Sequence, residues 1–467
     1  MRLLLIIFSV VLAISALTGQ AESVLPFERF MTMVKTEHPV TYQANLLNNM
    51  ADKNEQMARG GFDPKLEGNW SHKSFDGKNY YSLASGAVKL PTWYGIELKA
   101  GYDRNSGQYL NESDIIPTRG LWNAGISIGL GKGLILDERR ATLQKAKVYR
   151  QSTVMEQVLM RNELLFNAAD AYLNWQVATA YVDIAKEGLA LAELRFNASK
   201  SSFENGDKPA IDTLESLISL QARQLDEQKA TQALVNARLD IENYLWLQGD
   251  VPLELEETAV PEVLDTELLT ESVEGSYLML ESILAKHPEV LLYDYKVDNL
   301  DIDRKLAYET LKPDIRVAYN PLVAVANDAL FDEFNTSNYK LGATFAYPLM
   351  QRKQRGKLQL IKLKIQDAKY DQAVKRQQLK VKLESYINNI RQTRQQLTLL
   401  DQTVTNYQTM LRAENRRLGV GESSIFVVNS REVKYLDSRY KLIEARRKLI
   451  YNRLTYLLYL AEMDNVL

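Results

Sequence analysis

The stretch that decides the fold reads LFNAADAYLNWQVATAYVDIAKEGLALAELRF and runs from Leu165 to Phe196. Its apolar side chains recur at intervals of three and four, which is the spacing of one face of an α-helix. Between Asp137 and Phe203 the sequence holds one glycine, Gly188, and no proline, so nothing strongly interrupts a helix. Globular helices average about 11–12 residues. Residues 137–204 therefore predict a much longer helix, on the order of 100 Å at 1.5 Å per residue.

The long helix lies in a unit that occurs twice. The dipeptide His38-Pro39 recurs as His287-Pro288, an offset of 249 (287 − 38). Pro64 recurs as Pro313 at the same offset, inside two similar pentapeptides. Two landmarks in the same order at one fixed offset indicate an internal duplication.

A second pair of landmarks follows at a different offset. Arg140 corresponds to Arg355 and Gly206 to Gly421, both 215 residues later (355 − 140 and 421 − 206). The first copy therefore contains 34 extra residues (249 − 215) between Pro64 and Arg140.

These patterns predict the order of segments along the chain. A signal peptide at 1–21 comes first. The first repeat, at 22–248, has a helix at 25–59, strands within 64–132, a long helix at 137–204 and a return helix at 209–248. After an acidic connector at 249–275, the second repeat, at 276–467, has a helix at 276–310, strands within 313–348, a long helix at 351–418 and a return helix at 424–462.

The N-terminus has the layout of a secretory signal peptide. Arg2 precedes an apolar run from Leu3 to Leu17, and Ala21 ends a small-residue cleavage site. An uncleaved membrane anchor is the alternative. The sequence has no cysteine, so we expect no disulfide, no thiolate metal site and no lipidated N-terminal cysteine.

The β-rich segments alternate apolar with small or polar residues, which is typical of a strand with one face in lipid. A soluble sheet packed on a core is the alternative. The expected lipid-facing residues are Trp122, Ile126, Ile128, Tyr339, Leu341, Phe345 and Tyr347. Two strands per copy make four per chain, too few to close a barrel, so three chains would share twelve strands.

Composition excludes several other functions. Lysine and arginine total 57 against 59 acidic residues, so no basic excess predicts a nucleic-acid partner. The three histidines lack metal-ligand spacing, and no cofactor or catalytic motif is present. We therefore expect neither an enzyme nor a cofactor.

The chain resembles the TolC-like outer-membrane factor family over nearly its whole mature length. The markers are the two His-Pro openings, Phe62-Asp63-Pro64-Lys65-Leu66, Leu311-Lys312-Pro313-Asp314-Ile315, Tyr347-Pro348-Leu349 and the Arg417-to-Gly421 turn. The first copy departs from the pattern at Leu130-Gly131-Lys132-Gly133-Leu134, which lacks the proline, and at Ser202, which replaces the arginine.

The resemblance implies a mainly α-helical protein with a transmembrane β part. Long antiparallel helical hairpins would form an α-barrel tunnel, and the strands would contribute to a trimeric 12-stranded β-barrel in the outer membrane of a Gram-negative bacterium. It implies an exit duct of a tripartite efflux system, working as a homotrimer with a periplasmic adaptor and an inner-membrane RND or ABC pump. Two alternatives remain: a type I protein secretion channel, which shares this fold, and a coiled-coil envelope stalk without a channel.

The resemblance also assigns the helix tips to adaptor docking. The tip residues are Asn205, Gly206, Asp207, Arg417, Val420, Gly421 and Glu422. The family commonly closes its periplasmic end with acids about one turn into the return helices. Asp212 and Glu215 fit this gate in the first copy, whereas the second copy has Val427 and Ser430 (212 + 215 and 215 + 215). Alternatively, Asp212 only favours a helix N-terminus.

Overall fold

The computed structural model describes residues 23–207, 209–263, 280–324, 335 and 337–466. The predicted signal peptide at 1–21 lies outside the described residues, as do positions 264–275 of the connector. The chain divides into two compact units. The helical unit comprises the residues up to Asn45, Gln157–Pro288 and the residues from Arg376 onward, and the sheet unit comprises Leu46–Glu156 and Glu289–Lys375.

The first copy contains four helices and five strands among the residues described up to the connector. In chain order they are β1 (Ser23–Leu25), α1 (Phe27–Glu37), α2 (Pro39–Arg59), β2 (Lys65–Phe75), β3 (Lys78–Pro91), β4 (Ile96–Ser106), β5 (Leu121–Gly129), α3 (Glu138–Glu204) and α4 (Ala210–Glu242). The long helix α3 has 67 residues.

The connector and the second copy supply the remaining elements. They are β6 (Trp246–Leu247), β7 (Val251–Pro252), β8 (Ala259–Pro261), α5 (Leu280–Ala285), α6 (Pro288–Glu309), β9 (Asp314–Ala324), β10 (Tyr339–Ala346), α7 (Arg352–Gly419), α8 (Ile425–Leu460) and α9 (Met463–Val466). The second long helix α7 has 68 residues. The expected fold class, mainly helical with long hairpins and a β part, is confirmed.

The opening helix of each copy is broken, which corrects the prediction of one continuous helix at 25–59 and at 276–310. His38 has extended backbone angles (φ −69°, ψ 135°) and ends α1, and Pro39 starts α2. The second copy breaks between α5 and α6 at His287-Pro288. A proline ring disfavours the α conformation of the residue before it, so each His-Pro dipeptide interrupts the helix.

The two histidines occupy equivalent places. The His38 imidazole Nε2 lies 3.3 Å from the carbonyl oxygen of Asn243, just past the end of α4. The His287 imidazole Nε2 lies 3.1 Å from the carbonyl oxygen of Tyr459, in the last turn of α8. Each copy thus ties its opening helix break to the end of its own return helix.

The first return helix is shorter than the predicted 209–248. It ends at Glu242 because the following residues form a small hairpin instead, in which β6 pairs with β7. The turn between them carries Gly249 and Asp250, both with positive φ.

The described part of the connector is held within the helical unit by strand pairing and hydrogen bonds. Strand β8 pairs in parallel with β1. The hydroxyl of the fully buried Tyr172 donates to the carbonyl of Leu25 at 2.6 Å and accepts from the amide of Glu262 at 2.8 Å. A carboxylate oxygen of Glu262 also accepts from the amide of Phe27 at 3.0 Å, at the N-terminus of α1. An acid there is favoured by the helix dipole.

The sheet unit holds one antiparallel sheet in the order β10-β9-β5-β4-β3-β2. The described residues therefore contribute six strands, not the four that two per copy would give. The difference lies in the first copy, whose 34 extra residues provide an additional hairpin. In the strand order the additional strands extend the same sheet.

The two copies meet inside the sheet, where β5 pairs with β9. The join continues past the strands, because the amide of Lys132 donates to the carbonyl of Pro313 at 2.8 Å. A Cβ atom at Gly131 would lie 2.0 Å from that carbonyl oxygen, so only glycine fits this close approach.

The helical unit is fastened between α3 and α8 by buried polar contacts. The Arg195 guanidinium donates to the carboxylate of Glu432, which is almost fully buried, and to the side-chain oxygen of Asn429. A second pair, between the carboxylate of Glu187 and the guanidinium of Arg439, is only half-buried. Breaking one partner of a buried pair leaves an uncompensated charge, so the contact between Arg195 and Glu432 favours one fixed arrangement of the two helices.

Candidate functional site

One face of the sheet is apolar across all six strands. Residues directly opposite each other on neighbouring strands share a face. One such row reads Leu90, Leu98, Ile126, Tyr319 and Leu341. A second reads Ile96, Ile128, Val317 and Ala343, and a third reads Leu66, Val88, Ala100 and Ala124. The sheet therefore presents a continuous band of aliphatic side chains on one side.

Aromatic side chains lie at both ends of this band. Toward the strand ends that join the helices, Phe345 near the end of β10 lies on this face and is 72% exposed. Toward the opposite ends, Tyr102 and Trp122 are cross-strand partners with ring centroids 4.9 Å apart. Two aromatic belts flanking an apolar band are typical of a sheet that crosses a membrane.

The other face of the sheet is polar. Lys89 pairs with the carboxylate of Glu67 at 2.6 Å. The amide nitrogen of the Asn123 side chain donates to Asp103 at 2.8 Å. Small residues such as Gly101 and Ser127 separate the charged side chains. A polar face opposite an apolar one suits a wall between water and lipid.

The predicted lipid-facing residues fall on the apolar face. Six of them lie in strands and share that face by register: Trp122, Ile126, Ile128, Tyr339, Leu341 and Phe345. All six are exposed except Ile128, which is half-buried. Tyr347 is exposed but lies one residue beyond the end of β10, so no strand register fixes its side.

Sequence reasoning missed the part of this surface contributed by β2 and β3. Leu66, Trp70, Val88 and Leu90 belong to the apolar face, yet none was among the predicted residues. The signal was present as the alternation of Leu66, Gly68 and Trp70, but the glycine and the polar residues Ser71 and His72 weaken it.

The two helix tips have the same backbone structure. At the first, Gly206 has φ +80° and the amide of Asp207 donates to the carbonyl of Ser202 at 2.9 Å. At the second, Gly421 has φ +79° and the amide of Glu422 donates to the carbonyl of Arg417, also at 2.9 Å. Both are Schellman motifs, in which a left-handed glycine ends the helix.

The predicted tip residues all lie on the surface. Those exposed are Asn205, Gly206, Asp207, Arg417, Val420, Gly421 and Glu422. Large apolar side chains accompany them: Val420 is 72% and Phe426 66% exposed, and Phe203 and Ile211 are exposed at the first tip. The hydroxyl of Ser424 accepts from the amide of Val427, which confirms Ser424 as the N-cap of α8.

The gate candidates lie in the first two turns of α4. Asp212 is in the first turn and Glu215 follows one turn later, and both side chains are half-buried. The amide of Asp212 donates to the carbonyl of Pro209 at 3.1 Å. The equivalent second-copy positions hold Val427 and Ser430 in α8, so the acids are confined to one copy.

The described residues hold neither a candidate metal site nor a candidate membrane-spanning helix. In that part of the chain no cluster of three or more histidine, cysteine, aspartate or glutamate side chains could hold a metal ion. Nor does any of the described helices combine the length and the apolar character needed to cross a membrane.

Comparison with known proteins identifies the fold. The family described as outer membrane efflux protein matches residues 280–458. The open state of the MtrE outer membrane channel of Neisseria gonorrhoeae superposes with a TM-score of 0.67 at 14% identity, covering 93% of this chain and 88% of that one. The Campylobacter jejuni CmeC outer membrane channel gives 0.64 at 11%, covering 93% and 85%.

A third solved structure, the outer membrane protein VceC of Vibrio cholerae, gives a TM-score of 0.65 at 13% identity and covers 93% of this chain and 95% of that one. No curated protein sequence matches the chain. At these identities the solved structures establish a shared fold, and the family match applies to residues 280–458. Residues 280–458 thus resemble the outer membrane efflux proteins, a family of channels, and the described part of the chain has the fold of outer-membrane channels.

Proposed function

We propose that the protein is the exit duct of a tripartite efflux system in the outer membrane of a Gram-negative bacterium. The observation that carries this proposal is the two-sided sheet, with an aliphatic band and aromatic residues at both of its ends on one face and a polar surface on the other. A soluble stalk has no need of such a face, because water solvates an exposed apolar band poorly.

The working unit is a homotrimer. Six strands are too few to enclose a water-filled pore, and an open sheet edge is not tolerated in lipid. Outside the sheet, α4 exposes Leu214, Ile218 and Leu225 at helical spacing. Large exposed apolar stripes mark protein interfaces, and neighbouring copies of the chain would cover this one.

The tips dock the periplasmic adaptor. Each tip places a rigid glycine turn beside exposed apolar side chains, Phe203 and Ile211 at the first and Val420 and Phe426 at the second. Such patches rimmed by polar residues are typical of protein docking sites. An inner-membrane RND or ABC pump would deliver the substrate through the adaptor, as in the family. The same duct would serve type I secretion if its pump exported proteins.

Reconstitution of the signal-processed protein into planar lipid bilayers tests the proposal. We expect discrete single-channel steps, together with a trimer in chemical cross-linking. A protein that stays soluble without detergent, forms no pores and cross-links to no oligomer would instead support the envelope stalk.

Asp212 is the proposed gate residue. Three copies of a carboxylate brought close together attract cations, so we expect Asp212→Asn to reduce the cation selectivity of the closed pore, read as a smaller reversal potential in a salt gradient. Asp207→Asn is the matched control, because Asp207 carries the same charge on the exposed tip. Equal selectivity in Asp212→Asn and the unsubstituted protein would show that Asp212 serves only the N-terminus of α4.

A further inference from the structure

The sheet ends in two open edges, β2 and β10. Within the residues that the structure describes, each of these strands pairs on one side only. Every residue of both strands is exposed, including Leu66 at 83%, Trp70 at 72%, Leu341 at 62% and Phe345 at 72%. A bare strand edge with large apolar side chains is a template for pairing with another strand.

We infer that β2 of one copy pairs with β10 of the next, so that three copies close a barrel of eighteen strands instead of twelve. The inference rests on the proposed trimer. Six strands per chain in three chains give eighteen. The occupant of each edge is a second copy of this chain, and three properties of the edges support it.

The first property is direction. All five strand pairings in the sheet are antiparallel. Five reversals make β2 antiparallel to β10. The β2 edge of one copy can therefore join the β10 edge of the next as one more antiparallel pair, and head-to-tail contacts of this kind close into a ring.

The second property is the face. Leu66 shares a face of the sheet with its cross-strand neighbours Val88 and Ala100, which leads to β5. The same face continues from β5 through β9 to Leu341. Leu66 and Trp70 thus lie on the same face as Leu341 and Phe345. Pairing of the two edges continues the apolar face outward and the polar face inward, without a break in the lipid-facing band.

The third property is stagger. The cross-strand row that contains Leu90 reaches β10 at Leu341. Lys65 pairs with Lys89, one residue before Leu90, so the row of Lys65 reaches β10 at Lys340. Strand β10 continues six residues further, to Ala346 (346 − 340). Lys65 and Ala346 both mark strand ends that lead to helices.

This stagger has the size that a barrel needs. Six residues along the strands are roughly 20 Å, and five strand spacings are roughly 24 Å, which gives a tilt of roughly 40°. Closed barrels have strand tilts of about 35–45°. The sheet therefore has a slope compatible with a closed barrel, and the proposed trimer supplies the number of copies.

The additional hairpin would widen the membrane pore. Barrel diameter grows roughly in proportion to strand number, and barrels of about 16–18 strands enclose an aqueous channel. Eighteen strands instead of twelve give a diameter about one and a half times larger. Most of the side chains that β2 and β3 add to the inner wall are polar, among them Glu67, Asn69, Ser85 and Lys89, while Leu83 and Ala87 share that face.

Engineered disulfides test the closure, and the chain has no cysteine of its own to confuse the result. If the two strand ends lie level, Glu67 faces Thr344 across the new pair. The double variant Glu67→Cys with Thr344→Cys is oxidised in membranes and run on a non-reducing gel. Repeating it with Gly342→Cys or Ala346→Cys in place of Thr344→Cys covers a register shift of two residues either way.

The matched control is Lys99→Cys with Thr344→Cys, which would cross-link only if β4 and β10 met in a twelve-stranded barrel. Neither pair can form within one chain, because the strands are separated by several strand spacings of about 4.8 Å and a disulfide needs Cα atoms within about 7 Å.

We expect dimer and trimer bands from the β2 variants and none from the Lys99 pair. Bands from the Lys99 pair alone would overturn the eighteen-stranded closure and leave the trimeric duct intact. If neither pair cross-links in a protein that is trimeric by light scattering, the strand edges do not meet and this inference is wrong. A monomeric protein in the same assay would contradict the proposed function as well.

Discussion

The imidazole of His38 contacts two backbone groups, one at each ring nitrogen. Its Nδ1 accepts from the amide of Val40 at 3.1 Å, so that nitrogen carries no proton, and its Nε2 lies 3.3 Å from the carbonyl of Asn243. Burial lowers the pKa of His38 below its usual value, and the Asn243 carbonyl opposes that shift in part. Protonation at Nδ1 would break the first of the two contacts.

Stability should therefore fall on acidification. Because the folded pKa of His38 is lowered, the unfolded chain binds more protons as the pH drops below about 6.5, and stability is fully present only above that value. The loss is about 1.4 kcal/mol for each tenfold difference in proton affinity. We expect His38→Gln to reduce the difference in thermal unfolding midpoint between pH 7.5 and pH 5, measured on the detergent-solubilised protein.

The exposed His72→Gln is the control for this measurement, and it should leave the pH dependence unchanged. An unaltered pH dependence in His38→Gln would show that His38 is not the group that resists protonation.

Single residues also show where sequence reasoning ends. A strand repeats every two residues, so the alternation alone placed Trp122, Ile126 and Ile128 on one face, as the register shows. The contact between Arg195 and Glu432 joins residues 237 positions apart. No local pattern predicts such a partner, because it depends on how α3 packs against α8.

At the scale of elements, the long helices end at the tips because of the backbone conformation of a glycine more than because of side-chain contacts. A Cβ atom at Gly421 would meet no atom within 4 Å, so a substitution there is opposed only by the left-handed φ of +79°. That conformation costs an L-residue roughly 1–2 kcal/mol. The turn is therefore a place where one methyl group changes local order without a clash.

We expect Gly421→Ala to weaken the second tip by about 1 kcal/mol, which is roughly a fivefold faster hydrogen exchange of amides in an opening segment. The amide to follow is that of Glu422, which donates to the carbonyl of Arg417. Gly419→Ala is the matched control, because Gly419 lies in α7 with equally open space around it. Alanine is the better helix former there, so protection should hold or increase. Equal exchange in the two variants would contradict the role of the left-handed glycine.

Helix positions followed from the sequence better than helix breaks did. Residues 137–204 were predicted as one helix, and α3 runs from Glu138 to Glu204, because an uninterrupted apolar stripe leaves no competing structure. The breaks at His38 and His287 were missed although a proline follows each. A proline at the first turn of a helix is well tolerated, so the sequence alone does not tell a continuation from a new start.

At the scale of the whole molecule, the duplication predicted the order of elements but not the number of strands. The offsets locate 34 extra residues in the first copy, and their alternation is interrupted by glycines and polar residues. Only the pairing of β2 and β3 with β4 shows that these residues extend the sheet. Pairing partners of this kind are a tertiary property, which a pattern within one segment does not contain.

The pairing of β5 with β9 also determines when the sheet can be completed during synthesis of the chain. Strand β5 ends at Gly129 and β9 ends at Ala324, so 195 residues (324 − 129) must follow β5 before its partner is complete. At about 5–20 residues per second of synthesis, that interval is on the order of 10–40 s. During that interval the segment that becomes β5 has no β9 to pair with. We therefore expect holding chaperones to bind the unfolded first half until the second half arrives.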